Sequence, residues 1–156
     1  MNSPHAHPRS VLGRIKASYP RLLRILVPLD FSGKSRQALR YAVPLAQKFA
    51  ARIHLVHVLP EPAKAERPEL PQRKQAAIKR LAQMSQQHLP PRLRAENAVL
   101  VGKPAEQVLA LAQKNGIDLI VLTTKGETGL KRALVGSTAE AIMRNARCPV
   151  MSVRRY

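Results

Sequence analysis

Apolar residues in this chain gather into short runs: Arg24-Ile-Leu-Val-Pro-Leu29, Ile53-His-Leu-Val-His-Val-Leu59, Ala98-Val-Leu-Val101, Leu119-Ile-Val-Leu-Thr123 and Val150-Met-Ser-Val153. Runs of this length, bounded by Gly, Pro, Asp or Ser, predict strands buried on both faces. Between them the period lengthens to that of a helix. Ser32 offers an N-cap to a helix reaching about Ala50, and Pro44 inside it removes a backbone hydrogen bond and predicts a kink. Ala77, Ile78, Leu81 and Met84 recur at helical spacing over residues 72–88, which predicts an amphipathic helix with a basic outer face. Pro104 at its first position and Gly116 at its stop bracket a third helix. Ser137-x-x-Glu140 has the form of a capping box opening a fourth, which runs to about Ala146. The proline-rich stretch from Pro60 to Pro71, and Leu89-Pro-Pro91, read as surface loops.

Strands and helices therefore alternate as βαβαβαβαβ. Helical crossovers between short apolar strands predict an α/β fold, an open five-stranded parallel sheet with helices on both faces and right-handed connections. There is no internal repeat. Residues 21–156 read as one domain, preceded by a basic N-terminal arm over residues 1–20 that lacks the apolar core and cleavage site of a secretory signal.

Composition adds two constraints. The 156 residues suffice for one core, but with no Trp and 3% aromatic residues it must be filled by aliphatic side chains. A single cysteine excludes an internal disulfide framework and points to a reducing cytoplasm, and no stretch has the character of a transmembrane segment. Charge is more unusual: 27 Lys and Arg against 9 Asp and Glu give +18. Such a balance attracts polyanions, yet the basic residues are spread along the chain and accompany no nucleic-acid-binding signature.

The densest chemical signal is Thr123-Thr-Lys-Gly126-Glu-Thr-Gly129-Leu-Lys-Arg-Ala-Leu-Val-Gly136-Ser137-Thr-Ala-Glu140, a glycine-punctuated loop between a strand and a helix. Glycines leave backbone N–H groups unobstructed, and a helix N-terminus adds unpaired donors and partial positive charge, so this arrangement suits a phosphate. Together with Asp30-Phe-Ser32, Leu55-Val-His-Val58 and Gly102-x-Pro-Ala105, the stretch from Thr123 to Val153 resembles a universal stress protein, and the likeness covers about residues 22–154. Nucleotide-binding members of that family carry Gly-x2-Gly-x9-Gly-[Ser/Thr]. Here Gly126, Gly136 and Ser137 match the last three anchors, Thr123 stands where the first has glycine, and Gly129 lies inside the spacer.

The resemblance implies an adenine-nucleotide alpha-hydrolase-like sheet of order 3-2-1-4-5, with a ligand where the strand order reverses. It brings Pro28, Leu29 and Asp30 beside the loop from Lys125 to Ser137. It further implies that Asp30 meets the ribose or adenine edge, that Val58 holds the base through its backbone, and that Gly126, Gly136, Ser137 and Thr138 hold the phosphates of ATP. Ser137 would orient a Mg²⁺ ion if one is bound, although no carboxylate cage for it is visible. Pairing of the last strand, Val150, Met151, Ser152 and Val153, with its twin across a two-fold axis is implied as well.

The same residues admit plainer roles. Asp30 suits a turn before Ser32, Ser137 a helix cap, the glycines a tight connection with positive φ, Cys148 an inert packing position, and His57 a strand-end residue with a satisfied hydrogen bond. Gly33-Lys34-Ser35 imitates the end of a P-loop, but the leading glycine position holds Pro28, and Asp30 would repel the phosphates. Lys125, Lys131 and Arg132 could neutralise phosphate charge, and Glu127 is the only acid in the loop. No catalytic constellation accompanies them, so the expected function is a nucleotide-responsive stress module, at most a slow ATPase. The competing expectation is a nucleotide-independent homodimer whose basic surface docks on nucleic acid, membrane or an acidic partner.

Overall fold

Each apolar run becomes a strand of one parallel sheet. The computed structural model describes residues 21–124 and 135–154; the arm over residues 1–20 and the loop positions Lys125, Gly126 and Gly129 lie outside them. In chain order the elements are β1 (Arg24–Pro28), α1 (Gln37–Phe49), β2 (Arg52–Leu59), a short 3-10 helix (Lys64–Glu69), α2 (Leu70–His88), β3 (Ala95–Val101), α3 (Pro104–Lys114), β4 (Leu119–Thr123), α4 (Ser137–Asn145) and β5 (Val150–Val153). The strands lie in the order β3-β2-β1-β4-β5, all parallel, as expected.

Alternation along β1 shows how the sheet is covered on both sides. Ile25, Val27 and Leu29 join Ala38, Leu39, Ala42 and Ala46 of α1 and Leu81 and Met84 of α2 in one cluster. Leu26 points the other way and packs with Val108 and Ala112 of α3 and Ala139 and Ile142 of α4. The central strands are therefore buried on both faces, which is why they read as unbroken apolar runs. Ile25, Leu26, Ile53, Leu55 and Ile120 have no exposed surface, and each contributes about 1.5–3 kcal/mol by leaving water.

Three boundaries differ from expectation, each for a local reason. Helix α1 starts at Gln37 rather than just after Ser32, because the Asp30 and Ser32 side chains stabilise a turn there: Asp30 Oδ1 accepts the Ser32 N–H and Ser32 Oγ accepts the Ser35 N–H, both at 2.9 Å. It then continues through Pro44. Strand β3 begins at Ala95, not Ala98; it is an edge strand, and its first residues are exposed and carry no apolar signal. The proline-rich stretch is partly helical, since Pro71 sits in the first turn of α2, where its missing N–H costs nothing. On α2, Ala77, Leu81 and Met84 are buried, whereas Ile78 faces solvent.

Two anchors set where β1 begins. The Asp118 carboxylate accepts the backbone N–H groups of Leu23 and Arg24, each at 2.9 Å. Gly116 ends α3 at φ +57, the left-handed conformation that glycine adopts without strain, so the chain turns sharply into β4.

Candidate functional site

Strand order reverses at β1, which pairs with β2 on one side and β4 on the other. Helices α1 and α4, which follow β1 and β4, pack on opposite faces of the sheet, so the carboxyl ends of these two strands border the crevice in which open α/β sheets take ligands. Pro28, Leu29 and Asp30 form its β1 side, Thr123 ends β4, and Gly136, Ser137 and Thr138 open α4. Val58 lies near the end of β2, which extends three residues past the last β1 pairing of Pro28 with Val56.

Asp30 does close a turn, so its carboxylate is held rather than adrift. The Leu29 N–H continues the ladder to the Val56 carbonyl at 2.8 Å. His57 Nδ1 lies 2.7 Å from the Leu29 carbonyl, the satisfied hydrogen bond anticipated for it. A carbonyl can only accept, so Nδ1 carries the proton. Burial pushes the His57 pKa down, opposed by the bond to Leu29 and by Asp30 and reinforced by Arg80, so the ring is neutral at pH 7.

On the other side, the expected capping box does not form. Gly136, not Ser137, is the N-cap of α4, no side chain caps the helix, and Glu140 pairs with Arg144 at 2.9 Å instead of reaching back. The Gly136 carbonyl accepts the Glu140 N–H at 2.9 Å, and the Gly136 N–H donates to the Thr124 carbonyl at 2.7 Å. This second bond pins the start of α4 to the end of β4. Ser137 and Thr138 are exposed in the first turn, where the helix dipole favours an anion.

Positive φ does not explain Gly136, whose φ is −74°. Nor does crowding among the described residues: a Cβ there would meet its nearest described neighbour, the Thr124 carbonyl oxygen, at 3.4 Å. Asn, Asp or Ser would cap the helix better. What glycine adds is a backbone without a side chain at the helix start.

The family is decided by the chain as a whole, since the universal stress protein family matches residues 22–154. This chain belongs to the universal stress protein family. A universal stress protein of Methanocaldococcus jannaschii is 32% identical over 142 residues, covering 85% of this chain and 82% of that protein. The solved universal stress protein of Lactobacillus plantarum superposes with a TM-score of 0.71 at 28% identity, covering 87% of this chain and all of that one. Two further family structures share the fold at lower identity: one in complex with cAMP (TM-score 0.68, 18% identical, 87% of this chain and 99% of that one) and one from Archaeoglobus fulgidus in complex with dAMP (0.59, 19%, 86% and 99%).

Other features of this universal stress protein do not contribute to the crevice. A cavity of about 450 Å³ lies at the opposite, amino-terminal end of the strands, lined by Ala46, Ala51, Leu93, Arg92 and Arg94 among others. It contains no acid and base in partnership and is remote from the reversal point. Ser35, the last residue of the P-loop lookalike, is buried and donates its hydroxyl to the Ser32 carbonyl at 3.1 Å, so it is not presented to a phosphate. Cys148 is half-buried against the α3–α4 cluster, and burial raises its thiol pKa, as befits a packing residue. Among the described residues, no group of three or more His, Cys, Asp or Glu could hold a metal ion, and no helix is long and apolar enough to cross a membrane.

Sequence reasoning overlooked His54. It sits in the middle of an apolar run, and its partner Glu96 lies one strand away in register, a pairing that hydrophobic pattern does not reveal.

Proposed function

We propose that this chain binds an adenine nucleotide, ATP first among them, in the crevice between β1 and β4, and works as a nucleotide-responsive stress module rather than an efficient enzyme. The observation that carries the reading is the start of α4: a helix N-terminus with no side-chain cap, opened by a glycine that neither its φ nor the described residues around it require. In this reading Gly136, Ser137 and Thr138 take phosphate oxygens, with Lys125, Gly126 and Gly129 completing the cradle. Asp30 takes the ribose or adenine edge, and the Val58 backbone the base. Relatives of the same fold in complex with cAMP and dAMP support an adenine ligand. The described residues offer no carboxylate cage, so Mg²⁺ enters with the nucleotide and is held chiefly by its phosphates, with Ser137 beside it.

Gly136→Val tests the cradle, because it places a branched side chain at the start of α4, where the nearest described atom to a Cβ lies 3.4 Å away. Calorimetric titration with Mg·ATP should show affinity lower by a factor of about ten or more, corresponding to about 1.4 kcal/mol, with the thermal midpoint little changed. Wild-type affinity in the variant would remove the phosphates from α4.

A second reading rests on the +18 charge, which favours a polyanion on the outer surface. It predicts binding that collapses with salt, whereas a pocketed nucleotide held by directional bonds weakens far less. In either reading the protein pairs with a second copy through β5 and, with its one unreactive thiol, suits a reducing cytoplasm.

A further inference from the structure

Phe31 directly follows Asp30 and adopts φ +64, a conformation in which a bulky aromatic residue is an outlier costing about 1–3 kcal/mol. Something must hold it there. Its ring centre lies 4.1 Å from that of His57, tilted by 31°, and the Arg80 guanidinium of α2 sits over the Phe31 ring, 4.5 Å from its centre. An aromatic pair contributes about 0.5–1.5 kcal/mol beyond burial and a cation over a ring about 0.5–1 kcal/mol, comparable with the strain. The His57 ring also donates Nδ1–H to the Leu29 carbonyl at 2.7 Å. One imidazole thus grips the chain on both sides of Asp30, through a hydrogen bond at Leu29 and a stack at Phe31. It is also the residue immediately before Val58.

We propose that His57 is a positioning residue for the nucleotide site: its bond to Leu29 and its stack on Phe31, backed by Arg80, hold Asp30 and the turn to Ser32 in the ligand-ready conformation. This inference rests on the crevice being a nucleotide site, and it adds to that site a residue that need not touch the ligand. The strained φ belongs to the mechanism. A turn relaxed to negative φ at Phe31 re-aims the Asp30 carboxylate and releases the Asp30–Ser32 hydrogen bond. The neutral ring suits the role, since its Nδ1–H is required as a donor and burial beside Arg80 disfavours a second proton; Asp30 and Arg80 are the charged groups acting on it.

Two substitutions separate the functions of the ring. His57→Asn keeps a donor at the Nδ1 position and loses the stack, whereas His57→Phe keeps the stack and loses the donor. Mg·ATP affinity is measured by calorimetry on the full chain, and backbone amide exchange of Ser32, Ile25 and Val121 by NMR on nucleotide-free protein. Loss of one hydrogen bond to a buried carbonyl is on the scale of a tenfold change. The expected result is that His57→Phe weakens Mg·ATP about tenfold and speeds Ser32 exchange, while Ile25 and Val121 keep wild-type protection. His57→Asn, which loses the stack, likewise weakens Mg·ATP and speeds Ser32 exchange, again with Ile25 and Val121 at wild-type protection. Wild-type affinity in either variant, or loss of Ile25 and Val121 protection alongside that of Ser32, would overturn the proposal. If the wild type itself fails to bind Mg·ATP, the nucleotide reading falls, and Ser32 exchange decides alone. Faster Ser32 exchange in both variants keeps His57 as the residue that positions the turn, and unchanged exchange in either removes it.

Discussion

At the scale of single residues, this protein places strain and unpaired polarity in distinct places. His54 is 5% exposed in the middle of β2, its Nδ1 lies 3.3 Å from Glu96, and its Nε2 has no hydrogen-bond partner among the described residues. Burial lowers its pKa below the ordinary 6.5; Glu96 opposes the shift, and Arg52 and Arg24 add to it. The folded state therefore resists a proton that the unfolded chain accepts. Stability that is full above pH 6.5 is lost as pH falls from there towards the lowered folded-state pKa, and His57 acts in the same direction. Thermal denaturation should show the midpoint falling from about pH 7.5 to about pH 5.5, with a shallower fall in His54→Leu. A wild-type midpoint that is flat across this window would contradict the assignment. Such details escaped the sequence because they depend on register: nothing about His54 in isolation reveals Glu96 opposite it. Ser137 shows the reverse failure. Its capping-box spacing is real, but Gly136 is the N-cap and Arg144 competes for Glu140, leaving the hydroxyl out of any cap.

At the scale of elements, burial governed what was legible. Strands β1, β2, β4 and β5 emerged within a residue of their true limits because apolar runs coincide with strands covered on both faces or at their ends. The exposed start of β3 carried no such signal, and the late start of α1 is hidden in side chain to backbone bonds that mimic a helix cap. Strand β5 closes the sheet opposite β3 and, among the described residues, pairs only with β4, so it is an edge strand that a further strand could extend. With Met151 and Val150 half-buried beside that edge, an isologous pairing of two β5 strands is the assembly we propose. Met151→Pro removes a backbone donor there and should give monomer or insoluble protein by light scattering. A dimer of unchanged mass would exclude β5 as the interface.

At the scale of the whole molecule, the site exists only because topology brings distant segments together. Asp30 and Gly136 are separated by most of the domain, and the expectation that both serve one site at the order reversal comes from family likeness, not from either motif alone. The crevice is also the place where fold and charge make different demands. A chain of +18 attracts anions to its surface generally, whereas in the proposed reading a helix start with no side-chain cap, a glycine backbone and a carboxylate held by its own turn select one adenine nucleotide. The two contributions respond differently to ionic strength, which makes salt the most direct probe of the account. The deciding measurement is a calorimetric titration of nucleotide-stripped wild-type protein with Mg·ATP at low and at physiological salt, with Gly126→Val as the control for the loop. The account predicts saturable binding of one nucleotide per chain that persists at physiological salt and is lost in the variant. Absence of binding, or binding that vanishes with salt and is indifferent to Gly126, would contradict it and transfer the function to the basic surface.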